Sequence, residues 1–348
     1  MTALLTRAER QDDDVAREPE AIAQESDPST APHHQRATEI SDLDRALINR
    51  LRFDGRESNR SLAQRLGVNE VTVAARLRRM EDAGIMRVVA VTDIRLFGHR
   101  EFNFALLRVR GRSVQDVAAK LAALPETIGV TVTSGRFDIV LPVVCRDRAH
   151  TAEMFGTVLT AIDGVEGVHG TLALDVLKYD SNWASFHNPG TTPQAQPSDT
   201  VDGVDLEIIQ LLQKNARRSN RSIAAELGFS EGTIRGRIKR MLNERVFRIQ
   251  AVTNLLAFGR YAYAFVLITA EPGTVESIAA ILAARDDISQ ITHVLDDFAL
   301  ILVMTARDHS SIMAAVNEEI TFIPGVLRTE TLHMSQSLKH TYEWTWIV

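Results

Sequence analysis

With 348 residues, 45% of them apolar and 24% charged, the chain has an ordinary globular composition but is too long for one hydrophobic core, so two to four domains are expected. Cys145 is the one cysteine, which excludes an internal disulfide framework, and no apolar run is long enough to cross a bilayer, so a cytoplasmic protein without membrane attachment is expected. The net charge of −6 argues against a nucleic-acid binder only until it is divided by region, because acids crowd into the first 42 positions and arginines into two later stretches.

Residues 1–40 are polar and acidic (Asp12, Asp13, Asp14, Glu18, Glu20) and cannot bury enough surface to offset their ordering entropy, so a disordered tail is expected. His33 and His34 have no ligand partners at suitable spacing, and no metal or other cofactor is expected. Residues 41–98 read as a helix-turn-helix domain. Ser41 or Asp42 caps a first helix with Leu43, Leu47, Ile48 and Leu51 on one face. Ser58 caps a second that ends at Gly67, and Asn69 caps a third whose stripe is Val73, Leu77 and Met80. The strand IMRVVAVTD follows, as a wing or a hinge.

Residues 99–180 change in kind. Strands EFNFALLRV, IGVTVTSG, FDIVLPVV and GVHGTLALDVLKY enclose two amphipathic helices in the order β-α-β-β-α-β, that of a ferredoxin-like domain. Pro142 sits in a strand that should be central, where it removes a ladder donor, so a bulge is expected there. Cys145, in the run VLPVVC, is expected to be a buried, inert thiol. Residues 181–203 are rich in Pro, Gly, Ser and Thr and form a linker.

Then the pattern repeats without a gap. NRSLAQRLGVNEVTVAARLRRM (59–80) aligns with NRSIAAELGFSEGTIRGRIKRM (220–241), and Phe104 with Phe265, Phe137 with Phe298 and Lys178 with Lys339 keep the same offset. Residues 204–259 are a second helix-turn-helix domain and 260–348 a second ferredoxin-like domain. The fold class is therefore α+β: two copies of a winged helix-turn-helix followed by a βαββαβ domain. One chain is expected to build an intrachain pseudo-dimer, with further homo-oligomerisation, because a coiled linker of this length still reaches about 25 Å. Trp344 and Trp346, in the closing TYEWTWIV, are expected to pack or to form an interface.

The second helix of such a motif enters the DNA major groove. The residues expected to meet double-stranded DNA are Asn59, Arg60, Ser61, Glu70, Val71, Thr72, Ala75, Arg76 and Arg79 in the first copy. In the second they are Asn220, Arg221, Ser222, Glu231, Gly232, Thr233, Arg235, Gly236, Arg237 and Arg240. Arg76, Arg78 and Arg79 recur as Arg237, Lys239 and Arg240, which favours a phosphate footprint over a merely solvated face. Gly232 and Gly236 replace Val71 and Ala75 and weaken the second helix, so the first copy is expected to carry more sequence specificity.

The combination of LDRALINRL, RSLAQRLGVNEVTVAARLRRMEDAGIM, SGRFD and IPGVLRTETLHMSQSLK resembles the Lrp/AsnC (feast/famine) transcription regulators. The resemblance implies pairing through the sheets of the ferredoxin-like domains and binding of a small molecule, often an amino acid, near the turn between strands 2 and 3. It implicates Ser134, Gly135, Arg136 and Asp138, whereas the second copy has Asp296, Asp297, Phe298 and Ala299 and loses both the Gly and the Asp. Turn chemistry alone also accounts for Gly135 and Asp138. The function expected is a sequence-specific DNA-binding regulator modulated by a small molecule, and not an enzyme. The alternative is a siroheme-decarboxylase-like enzyme on the same fold, which would need His and Arg residues for a polycarboxylate tetrapyrrole where the region after each wing offers only His99, Arg100 and Arg260.

Overall fold

A computed structural model describes residues 40–93, 101–180, 183–184, 201–341 and 344–345. The expected disordered tail, most of the linker, and His99, Arg100 and Trp346 lie outside the described residues. Polar side chains start the helices of the first motif. Ser41 Oγ accepts the Asp44 N–H at the start of α1 (Asp42–Phe53), and the Asp44 carboxylate accepts the Ser41 N–H in return. Ser58 opens α2 (Asn59–Leu66), Gly67 closes it at φ 68°, and Asn69 opens α3 (Glu70–Asp82). Leu47, Ile48, Leu51, Leu62, Val73, Leu77 and Met80 form their shared core. After β1 (Met86–Asp93) come β2 (Glu101–Val109), α4 (Val114–Ala122), β3 (Gly129–Ser134), β4 (Ile139–Cys145), α5 (Arg148–Glu153) and β5 (Val165–Tyr179). The short β6 (Trp183–Ala184) ends the first half.

Every element recurs in the second half. The motif is α6 (Gly203–Lys214), α7 (Asn220–Leu227) and α8 (Glu231–Asn243), capped by Asp202, Ser219 and Ser230. Then follow β7 (Phe247–Asn254), β8 (Ala262–Ala270), α9 (Val275–Ala283), β9 (Ile288–Leu295), β10 (Leu300–Ala306), α10 (His309–Ala314), β11 (Val326–His340) and β12 (Trp344–Thr345).

The halves join twice. β1 was expected to be a wing or a hinge; it pairs instead with β7 of the other half, antiparallel from Met86↔Thr253 to Thr92↔Phe247. The burial pattern explains the difference. Seven of the eight residues of β1 are buried, so both of its faces need cover that a free wing lacks. Helix α1 packs on β7 and α6 on β1, and β12 and β6 add as parallel flanking strands. The Gly55 N–H donates to Ile249 O at 3.0 Å and the Ala216 N–H to Val88 O at 3.1 Å, which repeats the crossing symmetrically.

The second joint closes a barrel. Each half forms a sheet in ferredoxin-like order, β3-β4-β2-β5 and β9-β10-β8-β11. The edge β3 then pairs with β11 and the edge β9 with β5, leaving eight strands without an open edge. Phe102, Phe104, Leu106, Phe265, Leu267 and Leu332 point inward, while α4 with α5 and α9 with α10 cover the outer faces.

The bulge expected at Pro142 is present, and both halves have it. On β4 the register shifts between Thr131↔Val140 and Thr127↔Val143, and on β10 it shifts between Val303 and Met304, where Val303 stands at the place of Pro142. The irregularity leaves a position whose N–H the ladder does not need, and proline is tolerated there. Cys145 is buried, and burial pushes its thiol up to about 11, as an inert core residue requires.

Candidate nucleic-acid interface and effector turn

Helices α3 and α8 each turn one side to the core and one outward. On α3 the exposed residues ahead of its last two are Glu70, Val71, Ala74, Ala75, Arg78 and Arg79, with Val71 78% exposed. Val71, Ala74, Ala75, Arg78 and Arg79, together with Asp82, line a shallow recess along the helix. Thr72 is half-buried behind the cap, its N–H given to Asn69 Oδ1 at 2.7 Å. On α8 the outward set is Glu231, Gly232, Thr233, Arg235, Gly236 and Lys239. Arg60 and Arg221 are exposed on α2 and α7. The first copy therefore offers methyl groups and one fully outward arginine. The second offers bare backbone flanked by two cations.

The most regular arginines have partners inside the protein. Asp44 is fully buried, and Arg76 Nη1 lies 3.2 Å and Arg79 Nη2 2.6 Å from its Oδ2. Burial alone would push the Asp44 carboxyl up, but the bonds from Ser41 and Arg76 and the charge of Arg79 outweigh it and hold its pKa below the usual value. The second copy repeats this: Arg237 reaches Asp202 and Asp205 at 2.8 and 2.9 Å, and Arg240 reaches Asp205 and Glu244. A buried acid opening the first helix thus fastens the recognition helix to it. These four arginines were expected to face DNA; their guanidiniums are spent at least partly on that joint.

Asn59, Ser61, Asn220 and Ser222 are likewise engaged. Arg56 Nη1 donates to Asn220 Oδ1 at 3.1 Å, and Arg217 Nη2 donates to Asn59 Oδ1 at 2.7 Å, so each motif grips the other across the chain's pseudo-symmetry. Burial depresses the pKa of both arginines, and for Arg56 the nearby charge of Arg217 adds to the effect. Ser61 donates to Glu57, which also binds Arg65; in the second copy Arg218 donates to Ser222 and Glu226. Glu57 with Arg65 and Arg218 with Glu226 are one ion pair with its charges exchanged. The two motifs are consequently held in one mutual arrangement.

The turn between β3 and β4, where an effector was expected, is tightly tied as well. Gly135 has φ 144°, and a Cβ there would come 2.8 Å from Leu332 Cδ2 of the other half. Arg136 Nε is 3.2 Å from Glu330 Oε1, and its guanidinium lies over the Phe137 ring at 4.6 Å. Asp138 Oδ2 accepts the Val109 N–H at 2.8 Å, while Ser134 is exposed. In the second turn Ala299 keeps the backbone bonds of Asp138 but has no carboxylate to offer. Arg260, named for the enzyme alternative, donates to Asp286 O and to Thr305.

Sequence reading placed Arg78 and Lys239 in the phosphate footprint without separating them from the arginines tied to Asp44 and Asp205, left out Ala74, and passed over Arg56, Arg217 and Glu57. A signal for the first group existed: Asp44 and Asp205 stand on apolar helix faces, and a buried carboxylate requires a cation. Helical spacing from that acid would have claimed Arg76 and Arg79 and left Arg78 outward.

Comparison with known proteins agrees with this architecture. The AsnC-type helix-turn-helix domain matches residues 40–81 and 201–242, and the Lrp/AsnC ligand binding domain matches 103–183 and 263–344. The HTH-type transcriptional regulator FL11 of Pyrococcus furiosus is 29% identical over 140 residues, 40% of this chain and 90% of the relative. Ptr1 of Methanocaldococcus jannaschii, also an HTH-type transcriptional regulator, is 30% identical over 121 residues, 34% of this chain and 82% of its own. Among solved structures, the siroheme decarboxylase NirDL is similar with a TM-score of 0.64 at 15% identity, over 86% of this chain and 93% of that one, a likeness of fold alone. Single-unit relatives thus match about two fifths of the chain, and both domain types occur twice. The chain belongs to the Lrp/AsnC family of transcriptional regulators, in a form that carries the helix-turn-helix and ligand-binding domains in tandem.

Proposed function

We propose that this chain is a sequence-specific regulator that grips double-stranded DNA with two unlike recognition helices and responds to a small molecule such as an amino acid. The observation that carries the reading is the mutual clamp of Arg56 on Asn220 and Arg217 on Asn59, which holds two motifs at one separation as recognition of two half-sites requires. Val71, Ala74 and Ala75 suit apolar contacts with thymine methyls, and Arg78 suits a guanine edge. Gly232 and Gly236 let the α8 backbone approach closely, with Arg235 and Lys239 on phosphates. Specificity then rests chiefly on α3 and salt-dependent affinity on α8. Binding of the full chain to a random DNA pool, followed by sequencing, tests this; recovery of unselected DNA would refute it.

An effector would bind at the first turn, where Asp138 keeps one carboxylate oxygen beyond the Val109 bond to accept an ammonium. It alters DNA affinity only by favouring one arrangement of the halves over another. On the enzyme reading, this chain shares with NirDL a fold over most of both chains, and the fold alone does not choose between the two activities. Titration with an iron tetrapyrrole separates the readings: a stoichiometric Soret-band shift with loss of substrate carboxyl groups supports the enzyme, and an unperturbed spectrum supports the regulator.

A further inference from the structure

The two joints that close the barrel occupy equivalent places and share one register, yet they are built from different residues. His333 faces Ser134 at the first joint, and Leu172 faces Leu295 at the second. Beside the first, the turn of the first half carries the cation: Arg136 Nε lies 3.2 Å from Glu330 Oε1 on β11. Beside the second, the turn of the second half carries the acid: Asp296 Oδ2 lies 2.7 Å from His169 Nε2 on β5. Glu330 and His169 hold corresponding strand positions, so an acid that faces a guanidinium at one joint is replaced by an imidazole that faces an acid at the other; on the turns Arg136 corresponds to Asp297, and its neighbour Asp296 makes the second contact.

Shape runs in the same direction. Gly135 leaves room for Leu332, whose Cδ2 a Cβ would meet at 2.8 Å. The second turn has Asp296 at the place of Gly135, and the strand it faces has the smaller Thr171 at the place of Leu332. Glycine meets leucine at one joint and aspartate meets threonine at the other.

Like pairs break both matches. Two second halves would set Asp296 and Asp297 against Glu330 at both joints, and an aspartate Cβ against Leu332. Two first halves would offer Arg136 no carboxylate, because His169 stands where Glu330 would be. Juxtaposed like charges and unpaired polar groups are what disfavour wrong partners at an interface.

We infer that the two halves are matched as unlike partners, so that a first half accepts a second half and rejects another copy of itself. The linker supplies proximity, whereas charge and shape at these joints decide identity. The particle that results always presents α3 and α8 together, at any chain concentration.

The test begins with the full chain carrying a specific protease site between residues 185 and 200. After cutting, the protein is unfolded in urea, refolded, and read by native mass spectrometry, which resolves first–first, first–second and second–second pairs. Unlike pairs are expected to exceed about nine-tenths of the total, a tenfold preference or more of the size that interfacial charge discrimination provides. Random assortment, with half of the pairs alike, would overturn the inference. The exchange Arg136→Glu with Glu330→Arg keeps the first joint complementary but gives each half a match to itself. It is expected to raise the share of like pairs severalfold, and an unchanged share would count against the inference. The uncut chain gives a readout free of refolding. Ser134→Cys with His333→Cys is expected to form a disulfide within one chain. Leu295→Cys with His333→Cys meets only when second halves pair, and chain dimers linked through it would overturn the inference.

Discussion

Replacing Arg76 by alanine distinguishes an arginine that fastens the recognition helix from one that reads bases. Asp44 is fully buried and keeps Arg79 at 2.6 Å when Arg76 is removed, so the loss is a shared charge-assisted bond to the Asp44 carboxylate and to Ser41 Oγ rather than a stranded ion. Such a bond is worth about 1.5–3 kcal/mol, and the 34% exposure of the Arg76 side chain discounts it to about 1–2 kcal/mol. In a protein of this size the melting temperature should fall by about 2–4 °C for each kcal/mol. Asp44→Ala should cost more, about 3 kcal/mol, because it removes the capping box and strips two arginines of their partner. It should also release both guanidiniums toward DNA and steepen the salt dependence of non-specific binding by as much as about two phosphate contacts. Calorimetric melting, together with DNA affinity over a salt series, reads both effects. If Arg76→Ala melted like the unaltered protein and lost its base preference, the structural account of these arginines would be refuted.

Arg78→Ala and Lys239→Ala should both leave melting unchanged; measured by fluorescence anisotropy, Lys239→Ala should lower the salt slope of DNA binding by about one, and Arg78→Ala should cost about 1–3 kcal/mol of preference for the selected site. Gly135→Val should destabilise by about 2 kcal/mol or more, since it drives a branched side chain onto Leu332 at φ 144°; equal urea midpoints would contradict this. Burial pushes the His340 imidazole down to about 4, so the unfolded chain binds a proton first as pH falls. Stability should therefore drop between about pH 6.5 and pH 4, by at most about 3 kcal/mol, and His340→Gln should remove that part of the slope. The depressed Asp44 carboxyl acts in the same sense at lower pH: its stabilisation is present above its unfolded value and is lost as pH falls through the folded one. Asp138→Ala should weaken calorimetric binding of any amino-acid effector at least tenfold, and unchanged affinity would place the site elsewhere.

Local signals were legible in the sequence because they are local. Ser41, Ser58, Asn69 and Gly67 declare helix ends through bonds to their own neighbours, and Val73, Leu77 and Met80 declare a buried face by spacing alone. The duplication was legible because it preserves one offset throughout. What the sequence could not disclose is which partner each exposed-looking group finds at long range. Nothing near Met86 indicates that β1 pairs with β7, and nothing near Arg56 indicates Asn220. Arg76 misled because a cation on a helix looks the same whether it awaits phosphate or neutralises an acid distant in sequence. The exchange of Glu57 and Arg65 for Arg218 and Glu226 is visible only when the pairs are seen in contact.

Sequencing of DNA selected from a random pool by the full chain tests the central claim most directly, that one chain reads DNA with two unlike helices held in a fixed arrangement. The account predicts a site of two half-sites separated by about one helical turn or a multiple of it, unlike each other, with the stronger consensus lost on changing Val71 and Ala75 together. A perfectly palindromic consensus, or no enrichment at all, would contradict it.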